Sequence, residues 1–346
     1  MTIDFRSDHT HGASPEVVEA VSRAAAGRVT SYGEDPLTTR VRERCREIFE
    51  TDLEIFPVVT GTAANALAVA AMTPPWGGVF CHEDAHIHRD ELGAPEFYTG
   101  GAKLFPIAAA DGRLRADDVR RAVHAIGEEG RTAVPSCVSV TQATEAGTVY
   151  PVDDLRAIKE ASRLAMHMDG ARFANALVSL GCTAAELTWK AGVDVLTFGG
   201  TKNGAMAAEL IVVFRKELAA QVAPRWHRAG HRLSKMRFLS AQLDAYLADE
   251  LWLRNARHAN TMAQRLARGV DTLRPAEANV VFTRLDADTA KALRGQGFLF
   301  YDWPLFGEGA VRLVCGFGTT EAEVDAFLRA LAAAPRPHSL ASDAAR

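Results

Sequence analysis

An excess of basic charge is missing from this sequence. Its 346 residues hold 39 Lys and Arg against 43 Asp and Glu, a formal net charge of −4. Nucleic-acid-binding proteins carry a basic footprint, and docking on anionic lipid needs basic clusters, so neither partner is expected. Long apolar runs are missing too: no stretch approaches the roughly 20 consecutive apolar residues of a membrane span. The N-terminus, MTIDFRSDHTHG, lacks a basic-then-apolar leader. Cysteine is sparse and scattered. Cys45, Cys81, Cys137, Cys182 and Cys315 are odd in number and include no CxxC pair, which argues against a disulfide scaffold and leads us to expect a reduced, cytoplasmic protein. Internal repeats and low-complexity linkers are absent as well.

What is present is the composition of a soluble globular protein, 48% apolar and 24% charged, long enough for two domains. Ser14-Pro15-Glu16 opens a helix, with Ser14 as cap and Pro15 in the first turn, and a second amphipathic helix is expected over 37–50. Residues 55–59 read as a short strand despite Pro57. Apolar runs at 78–81, 102–107, 133–140, 164–168, 194–198 and 209–214 read as buried strands. Helical patterns at 62–72, 115–127, 153–164, 171–180 and 183–191 lie between several of them. This alternation predicts an α/β fold with a largely parallel sheet covered on both faces, and such sheets bind ligands at the carboxyl ends of their strands. From about residue 235 the pattern changes. A long helical region (235–268), strands at 278–283, 298–300 and 310–315, and helices at 287–295 and 320–333 predict a small α+β unit. PRPHSLASDAAR (335–346) reads as a frayed tail.

Five segments carry chemistry. Thr60-Gly61-Thr62-Ala63-Ala64-Asn65 follows a strand and starts a helix, so its free N–H groups suit an anion; a plain capped turn has the same pattern. Met166-His167-Met168-Asp169-Gly170-Ala171-Arg172 puts an acid at a strand end, where it can keep a ring nitrogen protonated or merely cap a helix. Phe198-Gly199-Gly200-Thr201-Lys202-Asn203-Gly204 sets a lysine in a glycine-rich turn after an apolar strand. Burial there makes an amine nucleophilic, although most lysines are simply solvated. Residues 82–91 are dense in ligand types, and His82, His86 and His88 invite a metal reading; a histidine stacking on a flat cofactor is the alternative. Arg312 interrupts the apolar run Val311-Arg312-Leu313-Val314, as a carboxylate clamp would. In order, these are a phosphate cup, a ring stacker, an acid, a lysine and a carboxylate clamp. The first four are what pyridoxal phosphate demands of a protein.

At this point the sequence resembles the threonine aldolase family, pyridoxal-phosphate enzymes of fold type I. The resemblance covers about residues 3–333. It rests on Asp4-Phe5-Arg6-Ser7-Asp8, Tyr32-Gly33-Glu34-Asp35-Pro36, the 60–65 segment, His86, Asp169-Gly170-Ala171-Arg172, Thr201-Lys202 and 311–314. HMDGARFANALVSLGC, ELTWKAGVD and SKMRFLSAQ look most like the low-specificity threonine aldolase and phenylserine aldolase branch. The resemblance implies an aspartate-aminotransferase-like fold, with a large, mostly parallel seven-stranded sheet domain (15–240), an N-terminal segment (1–14) and a small C-terminal α+β domain (241–334). It implies that Lys202 bonds the cofactor, Asp169 pairs with the pyridine nitrogen and His86 stacks on the ring. Gly61 and Thr62 hold the phosphate with Arg237 from a neighbouring subunit. Ser7, Arg172 and Arg312 grip the substrate carboxylate, and Tyr32 approaches from the partner chain of a dimer or tetramer. The reaction implied is retro-aldol cleavage of a β-hydroxy-α-amino acid to glycine and an aldehyde. Where many family members carry Glu-Asn-Thr-His, this chain has Thr141-Gln142-Ala143-Thr144, then Glu145. The base for the β-hydroxyl is then His86, Asp90 or a phosphate-bound water, with His86 ranked first, and the small Thr144 is expected to leave room for a phenyl substituent. Other enzymes of the same fold, an aminotransferase or a β-eliminating lyase, are the rival readings, with a metal hydrolase at 82–91 behind them.

Overall fold

The computed structural model describes residues 2–334; the expected frayed tail lies outside the described residues. The chain divides into two units, one of residues 12–257 and one formed by residues up to His11 together with those from His258 onward. The division therefore falls within the helix Leu251–Ala267 rather than near 240. The N-terminal residues do not form a segment of their own. Ile3 and Asp4 pair in parallel with Phe298 and Leu299, and Phe5, buried at 1% exposure, meets Phe327 edge-on at 5.5 Å.

The larger unit is built on seven strands, each one of the apolar runs legible in the sequence. Across the sheet they run Glu54–Val58, Glu209–Val213, Val195–Phe198, Ala165–Gly170, Val134–Thr141, Gly77–His82 and Lys103–Ile107. Four of the six pairings are parallel, joining the strands from Val195–Phe198 through Lys103–Ile107, while Glu209–Val213 runs antiparallel to both of its neighbours. Every residue of Val195–Phe198, Glu209–Val213 and Gly77–His82 is buried, as expected of strands covered on both faces. Phe198 anchors the core, with Trp252 at 5.5 Å and Phe173 at 5.8 Å; each such aromatic pair adds about 0.5–1.5 kcal/mol beyond its burial.

The helices differ from expectation at several places. The helix Lys216–Arg228 has no counterpart in the sequence reading, because Pro224 sits inside it and reads as a breaker. The expected 235–268 helix is two, Arg237–Leu247 and Leu251–Ala267, parted where Asp249 and Glu250 adopt φ of 49° and 54°. The stretch 183–191 is likewise broken, at Thr188. No described helix is long and apolar enough to cross a membrane.

The smaller unit holds a three-stranded antiparallel sheet, Tyr301–Asp302, Ala310–Val314 and Val280–Arg284. Helices Ala287–Gly295 and Glu321–Ala333 accompany it, with Phe327 and Leu313 fully buried in its core. The Phe298–Leu299 strand pairs with Ile3–Asp4, outside that sheet.

Close backbone approach fixes the carboxyl end of the larger sheet. A Cβ on Gly199 would lie 2.5 Å from the carbonyl oxygen of Ala171, and one on Gly200 would lie 2.5 Å from that of Ala208. Gly199→Ala is therefore expected to cost about 1–3 kcal/mol, the range for forced overpacking, read as a lower denaturant midpoint at unchanged slope.

Candidate active site

The segments singled out in the larger unit meet at the carboxyl ends of its parallel strands. The Ala165–Gly170 strand delivers Asp169, 3% exposed. Its Oδ1 accepts the Ala171 N–H at 3.0 Å and its Oδ2 accepts from Asn65 Nδ2 at 3.0 Å. Asn65 lies on the helix Gly61–Met72, so this bond ties the acid to the phosphate-cup segment. Thr60 caps that helix by accepting the Ala63 N–H at 3.1 Å, which leaves the N–H groups of Gly61 and Thr62 without intrahelical partners.

Asn65 Nδ2 also donates to Glu91 Oε1 at 2.8 Å, and the same oxygen meets His86 Nδ1 at 2.8 Å. Imidazole, carboxylate, amide and carboxylate thus form one chain: His86, Glu91, Asn65, Asp169. The Glu91 side chain is fully buried, whereas that of His86 is 33% exposed. The bond to Glu91 raises the His86 pKa against the opposing effect of burial, with Asp169 and Glu145 adding to the rise. Burial pushes the Glu91 carboxyl up. The pair therefore holds its shared proton to higher pH than a free imidazole would. Below Asp169 on the same strand, fully buried His167 takes Ser139 Oγ at 2.9 Å on Nδ1 and Thr197 Oγ1 at 3.1 Å on Nε2. Burial lowers its pKa to about 4, so it stays neutral.

The lysine turn adjoins the acid. The Gly199 N–H donates to Gly170 O at 3.1 Å, and Gly199 O accepts from Tyr246 Oη at 3.1 Å. Beyond Lys202, Asn203 Nδ2 donates to Tyr246 Oη and to Trp252 O, both at 2.8 Å. Lys202 is half-buried between these pins, and no ion pair engages it among the described residues. Arg172, 5% exposed, follows Asp169 by three residues at the head of the helix Phe173–Leu180.

Two expected residues of the larger unit lie apart from this cluster's hydrogen bonds. Arg237 donates to Gly27 O at 3.2 Å. Tyr32, 49% exposed with φ of 59°, donates its N–H to Ser234 O at 3.1 Å. In the smaller unit, Ser7 caps the Asp8–Thr10 turn, and Arg312 Nη2 donates to Arg6 O at 3.3 Å, which brings Arg312 beside the chain leading into Ser7. Its guanidinium lies 4.4 Å from the Trp303 ring centre and 5.8 Å from that of Tyr301.

Two sequence readings change. The histidines of 82–91 do not converge on a metal. Both ring nitrogens of His82 are engaged, Nε2 with Ala109 O at 2.8 Å and Nδ1 with the Asp84 N–H at 3.0 Å. His86 turns to Glu91, and His88 Nδ1 bonds Glu83 O at 2.9 Å. Ligand-type atoms of His82, Glu83 and Asp84 do fall within 4.8 Å of one another, but His82 has no nitrogen to spare. Thr144 does not open a substituent pocket: it is 2% exposed, and its hydroxyl is bonded to that of Thr148 at 2.7 Å within a turn. The residue of that run whose charge reaches His86 is Glu145. Asn65 and Glu91 were missed. Asn65 ended a segment read for its backbone, and Glu91 was one acid among several.

The donor set fits pyridoxal phosphate. Asn65 Oδ1 and Glu91 Oε2 are buried without a hydrogen-bond partner, beside an acid, an imidazole with an exposed edge and a lysine. Open space surrounds the Cβ position of Gly61 at the helix start, so nothing blocks an anion there.

Comparison with known proteins agrees. The family model for beta-eliminating lyases matches residues 4–292. A low-specificity L-threonine aldolase of Pseudomonas sp. (strain NCIMB 10558) is 44% identical over 329 residues, 92% of this chain and 94% of the relative. That of Escherichia coli K12 is 29% identical over 300 residues, covering 84% and 87%. Threonine aldolase of Leishmania major superposes with a TM-score of 0.89 at 26% identity, covering 95% of this chain and 98% of that one. An aspartate aminotransferase of Rhodobacter sphaeroides, at 18% identity and a TM-score of 0.69 over 96% and 92% of the two chains, shares the fold. From helix start, acid, imidazole and lysine turn gathered at the carboxyl ends of the parallel strands, and from likeness along nearly its whole length, the chain belongs to the beta-eliminating lyase family and, within it, to the low-specificity L-threonine aldolases, which are pyridoxal-phosphate enzymes of fold type I.

Proposed function

We propose that this protein is a lyase that cleaves L-β-hydroxy-α-amino acids reversibly to glycine and an aldehyde, using pyridoxal 5′-phosphate. The observation that carries the reading is the hydrogen-bonded chain His86–Glu91–Asn65–Asp169, anchored on the helix that begins at Gly61, with the Lys202 turn on the strand beside Asp169. The names borne by the relatives over almost their full length support it.

In this reading Gly61 and Thr62 hold the phosphate, joined by Arg237 of a second copy, and Lys202 supplies the amine that bonds the cofactor aldehyde. When bound, the cofactor supplies an electron sink for the pair released as the Cα–Cβ bond breaks. Asp169, held on both oxygens, keeps a carboxylate facing the ring nitrogen. His86 has a second task. Its Nδ1–H faces Glu91, so Nε2 carries the lone pair, and the carboxylate behind it makes that nitrogen more basic. Nε2 is thus the atom to accept the β-hydroxyl proton; Asp90, exposed at the end of the same short helix, is the less supported alternative. For the substrate carboxylate, Arg172 is the candidate in the larger unit, and Arg312 and Ser7 are the candidates in the smaller one. The Arg312 guanidinium, 4.4 Å from the Trp303 ring centre, has the planar fork that suits bidentate pairing with a carboxylate. Tyr32 contributes to the site of a partner subunit in a dimer or tetramer, and the protein works in the cytoplasm. On the aldehyde side the enzyme is permissive and accepts phenylserine, in keeping with the low specificity named for its relatives.

Lys202→Ala is expected to abolish aldehyde release and to lose the borohydride-fixed cofactor adduct that peptide mass mapping finds at residue 202 in the wild type. Wild-type turnover in this variant would overturn the assignment. Asp169→Asn is expected to lower turnover by several orders of magnitude with the fold intact by circular dichroism. Retention within about tenfold, roughly 1.4 kcal/mol in barrier, would reduce Asp169 to a helix cap. Kinetics on L-threonine, L-allo-threonine and both L-phenylserine diastereomers are expected to give phenylserine a specificity constant at least comparable to that of threonine, because a site that accepts the phenyl ring rejects a methyl by only a few kcal/mol. A hundredfold preference for threonine would mean a small pocket.

A further inference from the structure

Among the carboxylates that the larger unit buries outside the proposed chemistry, Asp35 caps a helix and Asp194 pairs with Lys159, whereas Glu209 has neither task. Glu209 opens the strand Glu209–Val213, is 6% exposed and forms no ion pair among the described residues. It stands opposite Val58, two residues before the capping Thr60 of the phosphate-cup helix. Its Oε2 accepts the Gly200 N–H at 2.6 Å, and the Thr201 hydroxyl and backbone also bond it. Lys202 is the cation whose field it feels.

A buried carboxylate is costly unless hydrogen bonds compensate it. The local backbone explains its presence. Gly199 and Gly200 are pressed against the carbonyls of Ala171 and Ala208. After its strand ends, the turn presents N–H groups that the sheet does not satisfy, and buried N–H groups need acceptors. Thr201 Oγ1 is itself committed, accepting the Ala208 N–H at 3.2 Å. A single side chain therefore closes the turn from beneath, while Tyr246 and Trp252 hold its two flanks.

We propose that Glu209 is a positioning residue for Lys202: by accepting hydrogen bonds from Gly200 and Thr201 it fixes the turn that aims the lysine amine at an aldehyde carbon. The inference rests on the reading of Lys202 as the cofactor-bonding lysine.

Two probes separate the lysine from the rest of the site. The full-length protein, stripped of cofactor, is mixed with pyridoxal 5′-phosphate, and the rate of covalent capture is followed by absorbance, with borohydride fixation and peptide mass mapping of Lys202. Pyridoxine 5′-phosphate, which has no aldehyde, is titrated in parallel and reports the phosphate and ring seats alone. Glu209→Ala is expected to slow capture by about tenfold or more while leaving pyridoxine phosphate affinity within about threefold of wild type. Glu209→Gln keeps an acceptor for the Gly200 N–H and is expected to restore capture to within about threefold. Should Glu209→Ala prove insoluble, Glu209→Met, which removes the acceptor and keeps the volume, decides by the same pair of measurements. Capture at the wild-type rate in Glu209→Ala, equal losses with both probes, or a Glu209→Gln as slow as Glu209→Ala would each overturn the positioning role. Failure of the wild type to form an adduct at Lys202 would instead overturn the reading of the lysine, a separate result.

Discussion

The amide of Asn65 is the joint on which the site of the larger unit depends. Its two N–H bonds are both spent, one on Glu91 and one on Asp169, so two buried carboxylates that would repel each other are bridged by one neutral donor. Turning the amide over would set its oxygen against both acids, so the network admits a single orientation. Bonds to charged acceptors of this kind contribute about 1.5–3 kcal/mol each, and leaving a buried carboxylate without its donor costs more. Because Asn65 rides on the first turns of the helix that begins at Gly61, the same bridge sets that helix start in register with the acid and, through Glu91, with the imidazole.

Much of this was legible in the sequence for a simple reason. A parallel sheet covered on both faces needs short, continuous apolar strands, and seven such runs stand out between helical patterns. Chemistry-bearing residues at the ends of such strands are local in sequence: Asp169 follows its own run, and Lys202 lies four residues beyond Phe198. Helix boundaries were legible where caps mark them, as at Asp286 and Thr320. The breaks at Thr188 and at Asp249–Glu250 carry no glycine or proline, and the helix over Lys216–Arg228 hides behind Pro224.

The remainder was not legible because it depends on pairs far apart in the chain. Asn65 and Asp169 are 104 positions apart, and Asn65 and Glu91 are 26 apart; no periodicity connects them. Neither could the dense run at 82–91 be parsed one residue at a time. Folding gives His82 to the Ala109 carbonyl, His88 to its own loop and His86 alone to the buried acid. Thr144 is the converse case. It looked like the residue that replaces a missing histidine, yet it closes a turn, and the charge felt at His86 comes from its neighbour Glu145.

The seat of Arg312 on Trp303 has an optical consequence. Indole emission responds to a cation held against the ring, and at 4.4 Å the guanidinium of Arg312 is such a cation. A carboxylate that draws the guanidinium into an ion pair alters the electrostatic field across that indole. The protein thus carries beside Arg312 an intrinsic fluorophore whose brightness and colour respond, without any added dye, to a change in the position or charge pairing of that guanidinium.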